Sequence, residues 1–233
     1  MKKLILLPIA TLAIFSTTNQ ANEYPQNPVV RPLTLTQSTV ELTGVYLYGK
    51  QHDNDHDSIL AANIAYGLTD NLQLALDGIT YRFFQNRSSG LELAVKAGIN
   101  GYYDDKNGDN LGLGFSLLGK HIINKNFAFT FAAGYTHWNL ENLADREEYD
   151  YSVGMLMNIA PQLTLTAQYT YRDLKDFQQS HANSASVGLN YAIEKNIDIG
   201  FISSYSDYNE QANSYALLET PEAAAGLYIN YRF

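Results

Sequence analysis

The chain has no cysteine. That removes any disulfide framework and any lipid-modified N-terminal cysteine, so noncovalent pairing alone must hold the fold. Beyond the opening leader no apolar run approaches the roughly 18 residues that mark a membrane-crossing helix, and hydropathy therefore argues against a helical membrane protein. Basic residues are scarce: 15 Lys and Arg face 24 Asp and Glu. That balance argues against nucleic acid as a partner.

What is present begins with an export leader. Lys2 and Lys3 precede an apolar run from Leu4 to Phe15 and a small polar stretch ending at Ala21, which is the basic, apolar and cleavage-region order of a secretory signal. The run is far shorter than the ~20 residues needed to span a ~30 Å hydrocarbon core, so residues 1–21 are expected to be removed. Without the two leader lysines, 13 basic residues stand against 24 acidic ones, a net charge of −11. An exported chain without a spanning helix enters a membrane only as a closed barrel, which satisfies every backbone group.

The C-terminus carries that signature. From Ala223 to Phe233, Ala223, Ala225, Leu227, Ile229, Tyr231 and Phe233 share one face, and Ala224, Gly226, Tyr228, Asn230 and Arg232 the other. A last strand that closes on Phe with apolar residues at every second position resembles the assembly signal of bacterial outer-membrane barrels. The resemblance implies that Leu227, Ile229, Tyr231 and Phe233 are read by the barrel-assembly machinery, with periplasmic chaperones escorting the chain. It also implies a Gram-negative outer membrane, with its lipid and lipopolysaccharide as surroundings.

The same period of two recurs along the chain. Leu163, Leu165, Ala167, Tyr169 and Tyr171 alternate against Thr164, Thr166, Gln168, Thr170 and Arg172; similar faces run through Phe127–Tyr135, Tyr149–Ile159 and Val187–Ile193. Further strands are expected over Val40–Lys50, Ile59–Gly67, Leu72–Phe83, Leu91–Tyr103, Leu111–His121 and Ile197–Tyr205. With the last strand these make eleven. Single-chain barrels of this kind have an even number of strands, so we expect an all-β, antiparallel, up-and-down transmembrane barrel of twelve strands, with ten as the alternative. The missing strand lies either in Arg31–Thr36, which Pro32 interrupts, or within Leu72–Phe83, where the phase slips at Gly78. The domain plan is a leader over 1–21, a periplasmic segment over 22–36 and a barrel over 37–233.

Tight turns at Thr69–Asn71, Asn124–Asn126, Ala160–Gln162 and Glu194–Asn196 belong on the periplasmic side. The longer polar stretches near 51–57, 84–90, 139–148, 173–183 and 206–222 are then expected outside the cell, while Asp104–Asn110 breaks the alternation. The 18 Tyr, against one Trp, favour the apolar faces near strand ends, which is the placement of aromatic girdles.

The opposite faces line the interior. They carry Glu41, Asp77, Glu92, Lys96, Lys120, Asp150, Arg172, Asp198 and Arg232 among small polar residues. Eight strands leave a lumen that side chains fill and sixteen leave an open channel, so twelve fall between. Two readings stay open: ion pairs that plug the barrel, or a constriction that selects small solutes. No cofactor motif is present. Asp53, Asp55 and Asp57, in a loop with His52 and His56, are weak candidates for a divalent cation. Asp105, Asn107 and Asp109 have the spacing of a calcium loop, but Ser116 stands where its bidentate Glu belongs. No catalytic residues are assigned, and His137 fits a girdle position better than a catalyst.

Finally, Arg31-Pro32-Leu33-Thr34-Leu35, Thr39-Val40-Glu41-Leu42 and Tyr66-Gly67-Leu68-Thr69-Asp70-Asn71-Leu72 resemble an outer-membrane transporter family associated with the phenol meta-pathway. That family implies passage of small, aromatic solutes. The expected function is thus a narrow uptake pore; the alternatives are a non-conducting structural or adhesion barrel with acidic loops, and a lipid-modifying barrel enzyme.

Overall fold

The structure, a computed structural model, describes residues 25–50, 56–105, 108–140, 144–209 and 221–233. The leader, Asp53 and Asp55 lie outside these residues. Twelve strands follow in chain order: β1 Val40–Lys50, β2 His56–Thr69, β3 Leu72–Ala75, β4 Gly78–Asn86, β5 Leu91–Asp105, β6 Gly108–Asn124, β7 Phe127–Leu140, β8 Arg146–Ala160, β9 Leu163–Lys175, β10 His181–Ala192, β11 Ile197–Ser206 and β12 Ala223–Arg232. Each pairs antiparallel with its neighbours in sequence, and β1 pairs with β12 to close the ring. At the seam Val40 N donates to Phe233 O at 2.9 Å and Phe233 N to Val40 O at 3.0 Å.

Alternation decides which face meets lipid. Leu227, Ile229, Tyr231 and Phe233 are all exposed on the outer surface, as are Phe129, Phe131, Val153 and Tyr171. Such exposure of large apolar groups is intolerable in water and normal against acyl chains. The turns at one end are set by their own side chains: Thr69 Oγ1 accepts from Leu72 N at 3.0 Å, Asn124 Oδ1 from Asn126 N at 2.8 Å and Asn86 Oδ1 from Ser88 N at 3.0 Å. These are the local side-chain bonds that reverse a chain tightly.

The strand hidden from the pattern lies within Leu72–Phe83. β3 and β4 form a short hairpin in which Ala75 pairs with Gly78. Gly78 has φ +144°, and a Cβ there would sit 2.3 Å from Ala97 O. Only glycine accepts both the angle and the contact. This reversal, read as a phase slip, corrects two side assignments. The connection after β4, at 87–90, falls at the same end as the C-terminus rather than outside; Gly90 O accepts from Ile122 N at 2.8 Å there. The stretch 104–110 becomes an ordinary hairpin at the far end, with Asp105 opposite Gly108.

Arg31–Thr36 is not a strand. Residues 25–39 turn into the lumen at the end that carries the short turns and the C-terminus. A single 3-10 turn at Pro28–Val30 is capped by Asn27, whose Oδ1 accepts from Val29 N at 2.9 Å. The segment then docks on β2: Ser38 N donates to Gly67 O at 2.8 Å and Gly67 N to Thr39 O at 2.9 Å. A Cβ on Gly67 would lie 2.1 Å from Thr36 O. We expect Gly67→Val to leave the barrel closed but to expel the segment. Limited proteolysis of the refolded protein should then cut between 25 and 39, where the wild type resists.

Candidate functional site: the braced lumen

The inward positions gather into three groups along the barrel. The first is at the turn end, where the N-terminal segment crosses the ring. Arg31 extends into the wall and meets Asp198 of β11 in a two-pronged pair, Nη1 to Oδ2 at 2.5 Å and Nη2 to Oδ1 at 2.8 Å. Its remaining donors are taken by its own segment, Nε by Pro25 O at 2.8 Å and Nη2 by Gln26 O at 2.6 Å. Asp198, fully buried, also binds Arg232 Nη2 at 2.8 Å, and Arg232 Nε reaches Glu41 Oε2 at 2.6 Å across the seam. The chain Arg31–Asp198–Arg232–Glu41 thus ties the segment to β11, β12 and β1.

On the other side of the segment, Lys120 of β6 donates to Pro28 O at 3.0 Å and Arg31 O at 2.8 Å. Glu92 of β5 accepts from Leu33 N at 3.0 Å and from Gln85 Nε2 at 2.9 Å, and lies 3.7 Å from Arg82 Nη1. Gln73 accepts from Leu35 N at 3.0 Å and Asp70 O from Thr34 Oγ1 at 2.7 Å. Backbone groups that a strand would have satisfied are satisfied instead by side chains of the wall, as buried peptide groups require. The stretches that carry the transporter-family likeness, around Arg31–Leu35, Thr39–Leu42 and Tyr66–Leu72, therefore meet in one place. Beside the segment a cavity of about 970 Å³ opens between Pro25, Val30, Pro32, Arg82, Glu92 and Lys125.

The second group closes part of the loop end. Arg172 of β9 grips Glu148 of β8 with Nε at 2.6 Å and Nη2 at 3.0 Å, and Trp138 Nε1 donates to the same carboxylate at 3.1 Å. The Arg172 guanidinium lies 4.9 Å over the ring of Tyr208, and that of Arg146 5.0 Å over Phe177. Tyr208 belongs to the inward turn after β11, held where Asp207 accepts from Asn183 N and Nδ2 at 2.5 and 2.8 Å. Asp150, half-buried beside Gly134, lines the wall just below.

The remaining inward contacts are polar. Lys96 Nζ contacts Asp77 Oδ2 at 2.5 Å, Asn100 Nδ2 donates to Thr136 Oγ1 at 2.6 Å, Tyr228 Oη to Asn190 Oδ1 at 2.9 Å and Thr43 Oγ1 to Asn230 Oδ1 at 2.8 Å. The nine residues expected inward fall in separate groups: Glu41, Glu92, Lys120, Asp198 and Arg232 at the turn end, Arg172 and Asp150 toward the loop end, and Lys96 between them with Asp77, which lies in the β3–β4 turn and not on a strand. Arg31, Arg82, Glu148, Trp138 and Tyr208 escaped the pattern. Arg82 was hidden by the phase slip at Gly78. Glu148 and Trp138 could have been found by extending the β8 and β7 alternation outward. Arg31 and Tyr208 lie outside strands and carry no periodic signal.

His137 faces outward at the loop end, 3.4 Å from Asp145. Among the described residues no cluster of His, Cys, Asp and Glu could hold a metal. Asp53 and Asp55 are outside the described residues, as is the side chain of Asp57.

Removing one partner of a buried pair strands the other charge, at a cost of about 3 kcal/mol or more. We expect Asp198→Asn to lower the stability of the refolded barrel by about 3 kcal/mol, read by urea titration in detergent with Trp138 fluorescence. Lys96→Met, which breaks a half-exposed pair, should change it by less than about 1 kcal/mol.

Comparison with known proteins follows this geometry. Residues 7–192 match the outer membrane protein β-barrel domain. No curated protein matches the sequence. Among solved structures, the NanC porin superposes with a TM-score of 0.51 at 10% identity, over 82% of this chain and 98% of the other. The KdgM porin gives 0.51 at 12%, over 82% and 99%. A loop L8 deletion mutant of OmpT from Vibrio cholerae gives 0.48 at 11%, over 84% and 98%. The chain therefore belongs to the outer membrane protein β-barrel domain family, and its place is the outer membrane of a Gram-negative cell.

Proposed function

We propose that the barrel is a narrow pore for small polar solutes, constricted at its periplasmic end by its own N-terminal segment. The observation that carries this reading is the polar inner wall between the two braces; a cavity lies beside Pro32, Arg82 and Glu92 at the turn end. A structural plug would place apolar or fully paired groups throughout. Here the wall carries Thr43, Asn100 and Asn230, hydrogen-bonding groups that can exchange partners with a passing solute. The fold shared with two proteins titled porins supports the reading. So does the strand count, above the eight that side chains fill and below the sixteen that leave a wide channel.

The bracing of both ends by buried ion pairs favours a second reading, a closed structural barrel whose acidic loops meet lipopolysaccharide. Catalysis is not part of either: His137 is turned to the outer surface, and its Asp145 partner is exposed. The assembly role of the last strand is retained in both, with Leu227, Ile229, Tyr231 and Phe233 presented on one outer face for the assembly machinery.

Single-channel recording of the refolded mature protein in a planar bilayer separates the readings. The pore predicts small, reproducible steps in wild type and larger ones in Arg31→Ala, which loses the anchor of the constriction. Silence from both, with folding shown by circular dichroism, overturns the pore and leaves the structural barrel. In vivo, deleting Phe233 should lower the amount of assembled barrel in the outer membrane, measured by membrane fractionation.

A further inference from the structure

The wall of the barrel is incomplete on one side. The β3–β4 hairpin ends at Leu76 and Asp77, and its last bonds to the flanking strands are Leu76 N to Ile64 O at 3.1 Å and Ile99 N to Asp77 O at 2.9 Å. β2 continues to His56 and β5 to Asp105. Beyond the hairpin tip, no ladder joins them among the described residues. At the tip they are separated by β3 and β4, three strand spacings or roughly 14 Å. Ala61 and Ala62 point to opposite faces of β2 and are both exposed.

This gap begins below the outer aromatic rim. Leu60, 63% exposed, and Ile99, 44% exposed, belong to the lipid-facing band on its two sides, while Tyr46 and Tyr48 on β1 mark the rim above. A bare strand edge in hydrocarbon costs several kcal/mol for each unsatisfied group. At the foot of the edge a hydrogen-bonding group of a ligand or water is therefore favoured.

The lumen behind the gap has two zones. Above, the inward positions of β1 and β2 change from polar to apolar: Val45 faces Ala61 and Leu47 faces Ile59 across the ladder. Below, at the lip, Asn63 Oδ1 and Asp77 Oδ1 are buried and have no hydrogen-bond partner among the described residues, although Asp77 Oδ2 holds Lys96. Two orphaned acceptors at the foot of an apolar wall call for a ligand with a donor at one end.

We propose that the gap between β2 and β5 is a lateral portal for a single-chain amphiphile with a hydroxyl or similar donor head, taken from the outer leaflet. The hydroxyl of the head donates its one proton to Asn63 Oδ1, and the chain lies along Val45, Leu47, Ile59 and Ala61 and out through the opening. The portal goes beyond the pore reading and is tested without it, since its readout is binding and not conduction.

The absence of cysteine makes a single introduced thiol a unique label. A bimane on Ala61→Cys reports from the inner wall beside the gap, and one on Ser186→Cys from the inner wall of β10. With the protein in phosphatidylcholine vesicles, 12-bromododecan-1-ol should quench the Ala61 label saturably and the Ser186 label weakly. Bromododecane, which lacks the head, should show no saturation. Asn63→Leu should raise the half-saturating mole fraction about fivefold, the worth of one net hydrogen bond. Ala62→Trp, which fills the opening from the lipid side, should abolish the preference for the Ala61 label and serves if the Asn63 variant does not fold. Equal quenching at the two labels, or equal behaviour of alcohol and bromoalkane, overturns the portal.

Discussion

Hydrocarbon offers a peptide group no hydrogen bond, and every other feature of this barrel follows from that. A sheet in lipid must meet itself, so β1 must find β12, and the pairing of Val40 with Phe233 completes the ring. Closure inverts the usual order of a fold. The large apolar residues go outside, where Leu227, Val153 and Leu60 face the solvent that suits them. The interior is left with the polar half of each strand. It has no hydrophobic core of the ordinary kind, and its packing problem becomes an electrostatic one.

The chain solves that problem differently at its two ends. At the turn end a segment with little regular structure is held by guanidinium, ammonium and carboxylate groups of the wall, and Asp198 between Arg31 and Arg232 is its best-buried anchor. At the loop end aromatic rings do the filling, with Arg172 and Arg146 stacked on Tyr208 and Phe177 and one carboxylate, Glu148, shared between Arg172 and Trp138. Neither device reaches the middle. There the Lys96–Asp77 pair is partly exposed, and the wall changes from the polar Thr43 and Asn63 to the apolar Val45 and Ile59 within a few residues.

Much of this was legible before the structure. Period two in Leu163–Arg172 or Ala223–Phe233 fixes which side chain faces lipid, because the pleat leaves no alternative, and the evenness of barrel strand numbers called for one strand more than the pattern showed. Gly78 was visible only as a slipped phase, since a two-residue reversal in an apolar stretch breaks the alternation by one step, as a bulge does. The misread side of 84–90 followed from that single omission. What alternation could not carry is height. It set Lys96, Glu92 and Asp198 on one inner surface without saying that Asp77 holds the first, Leu33 N the second and Arg31 the third. Those partners are distant in sequence or lie outside strands, where no period marks them.

The pair of Arg232 with Glu41 joins the last strand to the first. In a barrel the girth is determined by two integers, the number of strands and the stagger accumulated once around the ring. Eleven of the twelve offsets lie between strands joined by a connection in the chain; the twelfth, between β12 and β1, has no connecting segment to set it. A slip of two residues there would keep every face correct and change only the diameter. It would also carry Arg232 away from Glu41, so that the carboxylate loses its partner while Arg232 keeps only Asp198 of the two. One ion pair thus acts as the gauge of the whole tube, selecting its bore from a series of otherwise equivalent rings.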